Sequence, residues 1–392
     1  MHVFITLSAA FACWALWQDE VAEANGEAVA FVLSNLMKQV VICLVALLGG
    51  LTLYFAGGPE TPSILMIYFG AQTGMNLFMK NVLSKIVVDE EEGLKGIPMG
   101  FLLTAIQQAV AAVAFACFWI AGRVLQLGYK VKTLEANEYA SVFFFGLAFA
   151  LNIGLNNFSL SLVAISINMI IRSCLPLSTA ILQASVSAFM GKQQQSTLGP
   201  KQWVLMLAGV SCAGIASYAK SHTNTEESAA LSLGISITVA SIFAGALNMV
   251  MASVIKLNPL DTTCYMALPA GILLLIPSLV WPHPVSQWPN HDSMTDWQIL
   301  QEVMSKNPSV LIPVLISGVL SFFYNILQYT MVHKLSPTHA TLAGNFNKAA
   351  TIALSLTLSL ESTPAGKYGQ IFVLAILGNI AAFTMFSMSK GK

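Results

Sequence analysis

Two cationic side chains stand where the sequence supplies no counter-ion. Arg172 and Lys348 each fall inside a long apolar run, 160–190 and 339–360. Placing such a charge in the middle of a bilayer costs ~2.5–3.5 kcal/mol on insertion scales. No Asp or Glu falls inside any apolar run of the core, and Glu138 and Glu361 stand at run ends. Buried cations without buried anions imply that an anion arrives from outside, into a polar cavity. The alternative is hydrogen bonding to backbone carbonyls, or reaching toward the interface. Amides surround both cations. Asn152, Asn156, Asn157 and Asn168 precede Arg172; Asn325, Gln328, Asn345 and Asn347 precede Lys348. Asn168, Asn345 and Asn347 are candidates to orient the cations or bind a hydroxyl. Tyr265 and Tyr324 are candidates to stack on a ring or donate to an anion. Lys80, near the end of its run, reads either as a third cation at the site or as an interfacial lysine.

These residues need a lipid-embedded frame, and the composition demands one. Of 392 residues, 56% are hydrophobic and 9% charged, against about 25% charged in a soluble domain. Such a chain cannot coat a surface facing water. With ~20 apolar residues per span, the chain reads as an all-α polytopic membrane protein. Ten core runs are expected at 63–85, 99–124, 138–157, 160–190, 203–220, 230–255, 263–281, 309–333, 339–360 and 368–388.

Two further apolar segments precede the core. Val3–Leu16 is short, carries Ala10-Phe11-Ala12 and lacks a basic start, so residues 1–17 read as a signal peptide or an N-terminal helix. Residues 18–61 contain an extra membrane segment, Gln39–Gly57, and residues 62–392 form the ten-helix core. Pro176, Pro269, Pro277 and Pro313 are expected to bend or break their helices. Gly70 with Gly74, and Ser241 with Gly245, have the spacing of close helix contact. The loop from Pro282 to Asn307 reads as ordered, with Trp288 and Trp297 at headgroup level.

Arg172 follows Asn152 by 20 residues and Lys348 follows Asn325 by 23. Runs three and four are thus matched by runs eight and nine, a five-plus-five repeat. An odd-numbered repeat is inverted across the membrane, with its site at the repeat interface. Intramembrane carboxylates and histidines serve as proton relays; here His333 and His339 stand only at helix ends. That favours exchange of one anion for another over proton coupling. The charge balance, 18 basic against 18 acidic, gives no footprint for nucleic acid. Six cysteines without a CxxC pair give none for a metal or a disulfide framework. A membrane-embedded enzyme would need clustered acid–base or metal residues, and Asp261 or the His291-Asp292 pair supplies none. No catalytic residue, metal or cofactor is therefore expected.

Ordered motifs carry a resemblance. Asn76-Leu-Phe-Met-Lys80 resembles N-x-x-N-K, with Met79 at the second Asn. Ser166 to Pro176 resembles S-F-T-x-x-I-K-[SA]-x-x-P, with Arg172 at the lysine. Tyr265 to Pro269 resembles Y-M-A-P with one residue inserted. Leu335-Ser-Pro337-Thr-His and Gly344-Asn-Phe-Asn-Lys348 match S-P-x-T and G-N-x-x-K, and Phe386 to Lys390 resembles Y-S-x-x-K. Together they resemble the triose-phosphate and nucleotide-sugar translocator branch of the drug/metabolite transporter superfamily. The resemblance implies an antiporter of phosphorylated organic anions in a Golgi, endoplasmic reticulum or plastid-envelope membrane. Arg172 would grip phosphate as a fork and Lys348 as a point charge. The expected partners are a phosphorylated small molecule and the lipid bilayer, with a homodimer left open. Departures bear on the substrate. Ala349 stands where plastid carriers follow the lysine with arginine, Ile153 where they have histidine, and Tyr324 one residue from their tyrosine. The run-seven F-Y-N-N of GDP-mannose transporters is missing. Nucleotide sugar against nucleoside monophosphate is therefore placed ahead of triose phosphate against phosphate. A non-transporting receptor or accessory subunit is the alternative class.

Overall fold

The computed structural model describes residues 43–124, 132–189, 199–221, 228–357 except 256, 286, 290 and 336, and 364–388. The segment 1–17 lies outside the described residues. The chain is an all-α polytopic membrane protein. Its helices, in order, are α1 (Cys43–Phe55), α2 (Glu60–Ser84), α3 (Gly100–Val124), α4 (Ala136–Leu162), α5 (Ile165–Arg172) and α6 (Leu175–Phe189). They continue with α7 (Pro200–Ser221), α8 (Ser228–Val254), α9 (Pro259–Val280), α10 (Asp296–Lys306), α11 (Leu311–Leu335), α12 (Pro337–Thr357) and α13 (Gly366–Met388).

The core boundaries fall close to those expected, because long apolar runs ended by polar residues leave few alternatives. Local signals set the ends. Pro259 opens α9, and the Asn258 side chain accepts the Asp261 N–H at 2.8 Å. Thr295 and Gln298 form a capping box at the start of α10. One expectation is corrected here. Helix α9 begins before residue 263, so the buried Asp261 lies within its first turn rather than in a loop. Helix α9 also continues unbroken through Pro269 and Pro277. Pro176 behaves differently, since its run divides at Ser173 and Cys174 into α5 and α6.

Packing follows two matched halves. In the first, α2, α3, α4, α5–α6 and α7 are the five spans; in the second, α8, α9, α11, α12 and α13 are their counterparts. Helix α4 packs on α8, and α11 on α2. Helix α3 packs on α11, and α9 on α4. Helices α5 and α6 pack on α8, and α12 on α2. Each pairing maps onto the other when the halves are exchanged, while α3 with α9 and α7 with α13 map onto themselves. Five spans carry the chain to the opposite side, so the second half is inverted.

Among the described residues, eight helical segments, α5 with α6 counted as one, are long and apolar enough to cross a membrane; α2 and α12 are not among them. Their polarity is turned inward, through Thr73, Lys80 and Asn81 on α2 and Asn345, Asn347 and Lys348 on α12, all buried. Helix α1 lies on α2 where glycine lets it. A Cβ on Gly70 would come within 2.7 Å of the Leu47 nitrogen, and one on Gly74 within 3.2 Å of the Cys43 Cβ.

Two small hairpins, β1–β2 (Val87–Asp89, Leu94–Lys95) and β3–β4 (His283–Pro284, Ser293–Met294), sit at one end of the bundle. In the first turn, the Asp89 carboxylate accepts the N–H groups of Glu91 and Glu92 at 2.8 and 3.2 Å. The Glu92 N–H foremost, with Lys306 beside it, holds that carboxyl below its ordinary range. His283 and Asp296 form a buried pair at 2.7 Å. Asp296 also accepts the Leu102 N–H at 2.7 Å, an orphan donor at the start of α3. Of the two tryptophans expected at headgroup level, Trp288 is turned into the protein. It is 2% exposed, and its indole N–H donates to the Gly96 carbonyl, whereas Trp297 is exposed.

Candidate functional site

The site begins with a missing hydrogen. Pro176 has no N–H to offer the carbonyl four residues before it, which is that of Arg172. Helix α5 therefore ends there: the N–H groups of Ser173 and Cys174 still reach the carbonyls of Met169, Ile170 and Ile171, but those of Arg172 and Ser173 are left without a backbone donor at the helix's negative end. Helix α12, from the other half, supplies the donors. The Lys348 ammonium donates to the Arg172 carbonyl at 2.8 Å and to Asn345 Oδ1 at 2.7 Å. The Asn345 amide donates to the Ser173 carbonyl at 3.1 Å. Lys348 itself is 4% exposed.

The Arg172 side chain turns away from that end, toward α4 and α8. Its guanidinium donates to Asn152 Oδ1 and to Ser241 Oγ, each at 3.2 Å. Both acceptors are neutral, and among the described residues no carboxylate pairs with Arg172 or Lys348. Arg172 is half-buried and borders an open space.

That space is a cavity of ≈60 Å³ lined from both halves. Gln72 and Asn76 come from α2, Gln107 from α3, Asn156 and Asn157 from α4, and Ser321, Tyr324 and Asn325 from α11, beside Arg172 and Lys348. Among the described residues its lining holds no acidic side chain. Among the described residues, Asn156 Oδ1 and Asn325 Nδ2 are buried without a partner, one acceptor and one donor left for something else. Tyr324 stacks on Tyr68 with ring centroids 6.2 Å apart and accepts from Gln72 at 3.1 Å.

Of the residues singled out in the sequence, Arg172, Lys348 and Tyr324 meet at this cavity. Asn345 and Asn347 stand one hydrogen bond behind it, Asn347 through its 2.5 Å bond to Gln72. Three others are placed elsewhere. Asn168 is buried against Ser159, to which it donates at 3.1 Å. The Tyr265 hydroxyl donates to the Lys132 carbonyl at 2.5 Å, ahead of α4. Lys80 neither snorkels nor lines the cavity; it is buried and donates to the carbonyls of Leu160 and Val163, both at 2.8 Å. Gln72, Gln107 and Ser321 were not singled out. Gln72 stands one turn before Asn76, and that spacing is the signal that could have found it.

Residues 62–379, spanning both halves and every cavity-lining residue, match the Triose-phosphate Transporter family. The chain belongs to that family. Triose-phosphate Transporter family members are transporters rather than enzymes, which makes this chain a translocator of the general sugar-phosphate and nucleotide-sugar type. No curated protein matches it. A solved structure described as "Crystal structure of protein" is 15% identical, covering 83% of this chain and 98% of that one, with a TM-score of 0.46.

Proposed function

We propose that this transporter is an antiporter of phosphorylated organic anions, and that its first substrate pair is a nucleotide sugar exchanged for a nucleoside monophosphate. The observation that carries the reading is the shared cavity, where two cations from opposite halves meet neutral amides and, among the described residues, no acid. An anion entering there finds charge already desolvated and held in place. The amides offer donors and acceptors for sugar hydroxyls or a base. Ala349 favours the nucleotide-sugar pair over triose phosphate, since the second phosphate-gripping cation of the plastid carriers is replaced by a methyl group. A Golgi or endoplasmic reticulum membrane fits that substrate, and a plastid envelope the runner-up.

A thermal-shift screen of the purified protein tests the substrate class. A ligand that binds only the folded state raises apparent stability by mass action, by about 2.7 kcal/mol at a hundred times its Kd. Nucleotide sugars and their nucleoside monophosphates should raise the midpoint, and triose phosphates should not. A response to triose phosphate alone would reverse the order, and no response to any phosphorylated compound would end the proposal.

A further inference from the structure

The central cavity has two chemically different ends. Arg172, Lys348 and Tyr324 make one, with Gln72 bonded to the Tyr324 hydroxyl. The other lies about one turn further, some 5–6 Å along the helices toward the hairpins. There Asn76 follows Gln72 on α2, which leads into β1, and Met169 precedes Arg172 on α5. This second end is built of amides, thioethers and aliphatic side chains. Among the described residues it carries no charge and no aromatic ring.

Its donors rest on sulfur. The Asn76 amide donates to Met169 Sδ at 3.6 Å, and the Gln107 amide to Met79 Sδ at 3.2 Å. The Gln107 amide also donates to Ser317 Oγ at 3.0 Å, which fixes its plane. Asn76, Met79, Gln107 and Met169 all line the cavity. Gln328 and Tyr329 make like contacts with Met249 and Met266, but none of those four lines it. A thioether is a weak acceptor. It keeps a buried N–H paired while the site is empty and gives it up to an arriving oxygen, which forms the stronger bond. These donors are already out of water, so the exchange has no desolvation cost on the protein's side. Asn156 Oδ1, buried without a partner among the described residues, needs a hydrogen in return. A group bearing several hydroxyls meets both demands, since each hydroxyl accepts and donates. A nucleobase suits this end less, because a base stacks on an aromatic face and Tyr324 stands at the cationic end.

We propose that Asn76 and Gln107 are the sugar-reading residues of the site, passing their N–H groups from methionine sulfur to sugar hydroxyl oxygens. This rests on the nucleotide-sugar reading above and deepens it: the cations hold the phosphate, and the amide end selects what the phosphate carries. The test titrates the purified full chain with UDP-glucose, UDP-N-acetylglucosamine and GDP-mannose, each beside UDP or GDP, the same nucleotide without its sugar. The readout is the ratio of the two Kd values. Asn76→Leu and Gln107→Met should each weaken the sugar-bearing ligand by roughly 2–10-fold relative to its sugar-free counterpart, the equivalent of one neutral hydrogen bond. A role in folding alone would leave that ratio where it is. Met169→Leu keeps every amide and removes one sulfur, so Asn76 has no bond to give up. It should shift the ratio the other way, toward the sugar-bearing ligand, and it serves if the amide variants do not fold. An unchanged ratio in the amide variants, or a shift against the sugar in Met169→Leu, would overturn the proposal. A parent protein that binds UDP or GDP but none of the sugar-bearing ligands would overturn it while leaving phosphate recognition standing. A parent that binds none of the five would end the nucleotide-sugar reading itself, and this proposal with it.

Discussion

At the scale of single residues, Lys348 does two things that the sequence offered as alternatives. It lines the cavity, and it hydrogen-bonds the carbonyl that Pro176 leaves free. That lysine was legible because a cation inside an apolar run cannot pass for packing. Its partner was not legible, since the partner is a backbone atom brought near only when the two halves meet. Gln72 and Gln107 stayed silent because one amide in an apolar run reads as tolerable. Arg172→Gln and Lys348→Gln should each weaken phosphate binding by roughly 10–100-fold, the equivalent of one charged hydrogen bond of about 1.5–3 kcal/mol. Thermal-shift titration reads that loss, and the glutamine side chains keep donors for Asn152 or the Arg172 carbonyl, so the fold persists. Normal titrations from both variants would remove these residues from the site. Pro176→Ala makes the converse point. It returns an N–H to compete for the Arg172 carbonyl, and should slow exchange several-fold while leaving the amount of inserted protein unchanged. A variant exchanging at the parent rate would show that the break is not needed.

At the scale of elements, the runs read from hydropathy became helices with ends within about five residues, except that run 160–190 divides into α5 and α6 and yields its first residues to α4. Apolar length and polar punctuation are properties of the chain itself. The burial of Trp288 was not legible because it depends on Gly96, which follows the other hairpin with φ of 77°. Tyr265 was misplaced because a motif position says nothing about which end of the bundle the side chain serves. Gly70 and Gly74, read only as small-residue spacing, turn out to seat α1 against α2, the helix that carries Gln72 and Asn76 into the cavity. Gly70→Leu would push a side chain into α1's backbone, an overpacking that costs typically 1–3 kcal/mol, so about that loss of stability is expected. Cys43, 2% exposed, reports it directly. In a background with the other cysteines replaced by serine, maleimide labelling of Cys43 should rise sharply in Gly70→Leu. Unchanged labelling would mean that α1 is held by something else.

At the scale of the whole molecule, two inverted halves enclose a cavity far smaller than the ~300–1,000 Å³ of ligand pockets. The helices must therefore part to admit a substrate. Parting them while the cavity is empty moves two cations with neutral partners only, whereas a bound anion balances them. Repositioning should for that reason be fast when loaded and slow when empty, which is the behaviour of an obligate exchanger. The most direct test is counterflow in proteoliposomes. Labelled nucleotide sugar outside should enter vesicles preloaded with nucleoside monophosphate at least tenfold faster than empty vesicles, with or without a pH gradient. Equal uptake into empty vesicles, or uptake that a pH gradient alone drives, would contradict the account.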